Sequence, residues 1–144
     1  MTTIERLMKS LVSPPGNGHR GSVDLQAALA NERARSDRSG NPFAFVVIRV
    51  EGSSNGTLPR ERAAQLLAEA VQDRTRGIDT VAYWGEDLAI ILPYTSTESV
   101  NRLLQSIENM YTVRARDEVS GPSGIPDISF DIYSHPETVQ EKAE

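Results

Sequence analysis

Eight consecutive residues, Phe43-Ala44-Phe45-Val46-Val47-Ile48-Arg49-Val50, constrain this chain more than any others. They are rich in β-branched and aromatic side chains and too few to favour a helix, so the run reads as a strand. Alternation places Phe43, Phe45, Val47 and Arg49 on one face and Ala44, Val46, Ile48 and Val50 on the other. Both faces are apolar up to Arg49, the pattern of a strand in the middle of a sheet. A chain of 144 residues, 38% hydrophobic and 24% charged, is large enough to bury such a strand within one globular domain.

The residues around this strand fall into periodic segments separated by breakers. Ile4, Leu7, Met8 and Leu11 recur at helical spacing over residues 2–12, and Ser13-Pro14-Pro15-Gly16 through Gly21 reads as a linker. Ser22 or Asp24 can cap a second helix with Leu25, Ala28 and Leu29 on one face, a charged tail to Arg38, and a stop at Ser39-Gly40-Asn41-Pro42. After a loop from Gly52, Pro59 opens a helix carrying Ala63, Leu66, Leu67, Ala70 and Val71 to about Arg76. Thr80–Trp84 and Leu88–Leu92 form a hairpin about Gly85-Glu86-Asp87. Thr95 and Glu98 fit a capping box ahead of a helix with Val100, Leu103, Leu104, Ile107, Met110 and Tyr111. A Gly/Pro loop then leads to a last strand, Ile128–Tyr133, and a charged tail from Glu137.

The order predicts an α+β fold: a ferredoxin-like βαββαβ core, an antiparallel sheet with helices on one face, plus the N-terminal helix. Right-handed crossovers place the first strand between the third and the last. The expected divisions are 1–22 for the N-terminal helix and linker, 23–136 for the domain and 137–144 for the tail.

Composition excludes several classes. With no cysteine there is no disulfide, thiolate metal site or cysteine nucleophile. A net charge of −5 opposes a general nucleic-acid footprint, and the strand Leu88–Leu92 lacks the aromatics of an RNA-recognition module. No run is apolar enough to cross a membrane and no secretory h-region is present, so a cytoplasmic protein without membrane contact is expected. His19 and His135 have no partners at metal-ligand spacing.

From Leu25 to about His135 the chain resembles the GGDEF domain of diguanylate cyclases, the enzymes that join two GTP molecules into cyclic di-GMP. The resemblance rests on Leu25, Leu29, Glu32 and the basic run to Arg38, then Gly40-Asn41-Pro42-Phe43. It continues through Arg76-Gly77-Ile78-Asp79, an R-x-x-D, into Trp84-Gly85-Glu86-Asp87-Leu88 at the signature hairpin, and ends at Ile128-Ser129-Phe130.

That resemblance implies divalent cations held by an aspartate near the end of the first strand and by an acidic residue in the hairpin. Here the aspartate position falls on Arg49, and a guanidinium repels a cation. Glu51, two residues on and on the same face, can stand in for it. The loop after Glu51 is shorter than the family's, and the hairpin is a residue short. Either one glycine is deleted, leaving Glu86 and Asp87 in the acidic positions, or Trp84 replaces a glycine that lets the backbone approach a phosphate. No cofactor and no metal is therefore expected.

The R-x-x-D implies a site for product phosphate and guanine through Arg76 and Asp79, since a guanidinium fork suits both. The same two side chains can equally bridge to each other. Arg49 has a structural explanation open to it as well: if the first and last strands are neighbours, it can pair with Asp131 on the sheet face without helices. The reading favoured is a catalytically inactive, GGDEF-like regulatory module in bacterial signalling, with a protein partner or homodimer. A receptor for cyclic di-GMP or another nucleotide through Arg76 and Asp79 is the alternative, and a live cyclase using Glu51, Glu86 and Asp87 the third.

Overall fold

The structure, a computed structural model, describes residues 24–51, 58–119 and 124–136. The expected N-terminal helix, the linker with His19, the loop after Gly52 and the tail from Glu137 lie outside them. Seven elements follow in order: α1 (Leu25–Ser39), β1 (Phe43–Val50), α2 (Arg60–Arg74), β2 (Thr80–Trp84), β3 (Asp87–Pro93), α3 (Thr97–Asp117) and β4 (Ile128–His135). The strands make one antiparallel sheet in the order β2-β3-β1-β4, with β1 between the third strand and the last. No described helix is long and apolar enough to cross a membrane.

Because β1 is apolar on both faces, it is covered on both. Ala44, Val46, Ile48 and Val50 join Leu88, Ile90 and Leu92 beneath Leu66, Leu67 and Val71 of α2 and Val100, Leu104 and Ile107 of α3. Phe43, Phe45 and Val47 face the other way, with Ala82, Ala89 and Ile91, against Leu25 and Leu29 of α1. The two helices of the βαββαβ core thus share one face as expected, while the entry helix lies across the face expected to be bare. The core beneath it runs along β1 from Phe43 to Val47 and stops short of Arg49. Along α1 the buried apolar positions stop at Leu29, and the buried stripe continues through Glu32 and Ser36, which are polar.

Local signals set the boundaries. The Asp24 carboxylate accepts from the Ala27 N–H at 3.1 Å, capping α1. Gly40 ends that helix at φ +80°, a left-handed conformation that costs glycine nothing. At α3 the capping box gives way to a different cap. Ser96 accepts from the Ser99 N–H at 3.2 Å, while Thr95 is buried one residue earlier and donates to the Pro93 carbonyl at 2.8 Å. The helix runs on to Asp117, and Tyr111 locks it to the approach of β4 by donating to the Pro126 carbonyl at 2.6 Å. Burial pushes that phenol up to about 12.

With its apolar residues against the sheet, α1 is an integral layer of the fold. Leu29→Ala and Ile107→Ala remove fully buried side chains from opposite faces. Each is expected to cost about 2–5 kcal/mol in urea unfolding; a cost near zero for Leu29→Ala would show α1 to be an appendage.

Candidate functional site

At the hairpin end of the sheet α1 no longer covers its face, and three strands bring charged residues together. Register puts Ser129 opposite Arg49, and Leu88 opposite Ile48. The Arg49 guanidinium forms an ion pair with Asp131, and its Nε lies 3.6 Å from the Asp87 carboxylate. The expected Arg49–Asp131 pair therefore forms, with Asp87 as a further partner. Burial pushes the Asp87 carboxyl above its ordinary value, against the pull of Arg49. The Asp131 hydrogen bond raises the Arg49 guanidinium further still. Glu51 points elsewhere: it accepts from the Ser129 hydroxyl at 2.6 Å.

The hairpin is a two-residue turn, Gly85-Glu86, closed by the pair Trp84↔Asp87. Gly85 has φ +66° at its first position, as a tight hairpin of this kind demands. Trp84 occupies the last place in β2, packed at the margin of the α1 core. Glu86 is bound by Arg60 of α2, whose Nη1 lies 2.7 Å from the carboxylate and whose Nε donates to the Val50 carbonyl at 3.1 Å. Arg60 carried no sequence signal, since 26 residues separate it from Glu86. Between them opens a depression of about 580 Å³ lined by Val50, Arg60, Glu61, Tyr83 and Glu86 among others.

These donors do not fit a divalent cation. Asp87 and Asp131 face one guanidinium and Glu86 faces another, so a metal would have to displace fixed positive charge. Among the described residues no three Asp, Glu or His side chains are grouped so as to hold an ion.

The second candidate, Arg76 and Asp79, sits at the opposite end of the sheet. The two bridge to each other. Arg76 Nη2 lies 2.8 Å from Asp79 Oδ1, Nε lies 3.2 Å from Oδ2, and the Arg76 backbone N–H donates to Oδ2 at 2.7 Å. The same Nη2 reaches the Pro93 carbonyl at 3.0 Å and the Thr95 hydroxyl at 2.9 Å, pinning the turn before β2 to the end of β3. The Asp79 side chain is 1% exposed and that of Arg76 is 50% exposed. Close by, at Tyr94 (φ +55°), Arg35 donates to the phenol oxygen at 3.0 Å and is itself held by buried Glu32 at 2.8 Å. Neither Glu32 nor Tyr94 was singled out for such a contact by the sequence, which gave no cue of burial at Glu32.

Removing the positive charge between Asp87 and Asp131 leaves two carboxylates facing each other. In Arg49→Met the Asp87 carboxyl, already raised when folded, rises further. The folded state then holds protons that the unfolded chain has released, so stability falls as pH climbs through the carboxylate range. The loss relative to the wild type, measured by urea unfolding at pH 7, is expected to shrink steadily towards pH 3.5; a pH-independent difference would place no coupling between these groups.

No family model matches the chain, and no curated protein sequence does. Solved structures do. A DGC protein from Thermotoga maritima superposes with a TM-score of 0.61 at 19% identity, over 83% of this chain and 85% of that one. The diguanylate cyclase SiaD from Pseudomonas aeruginosa, solved in complex with its activator SiaC, gives 0.66 at 20% identity over 96% of this chain, which spans 59% of SiaD's. The GGDEF domain of DgcB from Caulobacter crescentus, solved in complex with c-di-GMP, gives 0.64 at 15% identity over 78% of this chain and 70% of that one. At these identities the likeness establishes architecture, and the architecture is that of the GGDEF domain of diguanylate cyclases.

Proposed function

We propose that this chain is a regulatory GGDEF-fold domain without cyclase activity, acting by binding a partner. The observation that carries the reading is the pairing of the hairpin acids with the protein's own arginines: Asp87 with Arg49, which also holds Asp131 of β4, and Glu86 with Arg60. Joining two GTP molecules needs cations to neutralise the triphosphates and activate the attacking hydroxyl. The carboxylates that the resemblance assigns to that task are spent on internal ion pairs. Glu51, the residue able to stand in for the missing aspartate, is bonded to Ser129. Either register of the hairpin impairs close backbone approach to a phosphate, whether by loss of one glycine or by the Trp84 indole in a glycine's place.

The partner class is supported by what the neighbouring structures hold. SiaD is seen with a protein activator and DgcB with c-di-GMP. One observation favours a nucleotide receptor as the second reading: Asp79 holds Arg76 in place, yet its Nη1 makes no hydrogen bond among the described residues. The side chain borders a depression of about 490 Å³ lined also by Gln72, Thr75 and Gly77.

Incubation with GTP and either Mg²⁺ or Mn²⁺, followed by chromatography of the products, is expected to yield no cyclic di-GMP; turnover would overturn the reading. Calorimetric titration with cyclic di-GMP then separates the two kinds of partner. Binding that disappears in Arg76→Ala, with circular dichroism unchanged, assigns the receptor role to Arg76 and Asp79. No heat with the wild type leaves a protein as the partner.

A further inference from the structure

The outer edge of β4 is the longest strand edge in the sheet. β4 pairs with β1 through all eight residues, Ile128↔Val50 to His135↔Phe43, and among the described residues nothing pairs with its other side. The opposite margin of the sheet, β2, has only five residues. An unpaired edge presents alternate N–H and C=O groups outward, and soluble proteins blunt such edges with proline, glycine bulges or lysines. Ile128-Ser129-Phe130-Asp131-Ile132-Tyr133-Ser134-His135 has none of these. Its one acid, Asp131, is paired with Arg49. Near its middle, Ile132 remains 39% exposed.

We propose that this edge is a self-association surface, and that its occupant is β4 of a second copy of this chain. A two-fold axis perpendicular to the sheet joins two such strands antiparallel and keeps each face continuous, so residues face others of their own face. Centred on Ile132, the pairing sets Ile132 against Ile132, Phe130 against Ser134, Asp131 against Tyr133 and Ser129 against His135. No charge meets a like charge, and the exposed isoleucines cover each other. Centred on Asp131, the pairing would oppose two carboxylates, which is unfavourable. The result is an eight-stranded sheet in which both copies of β4 are interior. It holds whether or not the domain has catalytic activity.

The absence of cysteine makes a direct test available in the full chain. Residues directly opposite in an antiparallel pair have Cα atoms about 4.5–5.5 Å apart, within the range a disulfide spans. Ile132→Cys is therefore expected to form a covalent dimer under mild oxidation at least ~10-fold faster than Val113→Cys, a control at a 61% exposed position on α3. Sedimentation equilibrium should show wild-type dimer increasing with concentration, and Ile132→Lys monomeric at the same concentrations with unchanged circular dichroism. A wild type monomeric throughout, or equal cross-linking at the two cysteine positions, overturns the proposal. So does dimerisation that appears only after residues 137–144 are removed, which would make the chain's own tail the occupant.

Discussion

The burial of β1 on both faces is the constraint on which the rest of this fold depends. Phe43, Phe45 and Val47 cannot be left in water, and neither can Ala44, Val46 and Ile48. One layer of helices satisfies only half of that demand. The pair α2 and α3 supplies the larger core, and α1 supplies the smaller one with little more than Leu25 and Leu29. Each fully buried aliphatic or aromatic side chain contributes roughly 1.5–3 kcal/mol relative to exposure, so the smaller core is a substantial part of the domain's stability.

Most of the architecture was legible because it follows from periodicity. The bounds of β1 and β2 are those their residue types predict, and the strand order follows from crossover handedness. What escaped was of another kind. The position of α1 is decided by two leucines, while Glu32 and Ser36, which complete its buried stripe, look from the sequence like part of a charged tail. The cap of α3 shifted from Thr95 to Ser96 because the Thr95 hydroxyl is engaged by Pro93 and Arg76, a tertiary contact no local pattern announces.

The candidate site shows the same division. The Arg49–Asp131 pair was readable, because alternation and strand order together put both on one face. The grip of Arg60 on Glu86 was not, since it joins a helix start to a hairpin turn through an arginine with no motif around it. As an exposed pair it adds little to stability. Its effect is electrostatic: with Arg49 it sets positive charge among the acids of a corner that the resemblance would make a cation site. At the other end of the sheet, Asp79 does for Arg76 what Glu32 does for Arg35. Each buried carboxylate fixes an arginine that reaches the surface.

The junction at Arg49 also ties together the evolutionary fates of distant positions. One guanidinium serves an aspartate at the start of β3 and another in β4, so the fitness of any change at 49, 87 or 131 depends on the state of the other two. An aspartate placed at position 49 would set a third carboxylate beside Asp87 and Asp131 where a guanidinium now stands between them. That change alone is blocked by the two neighbours, and the present arrangement is entrenched by them.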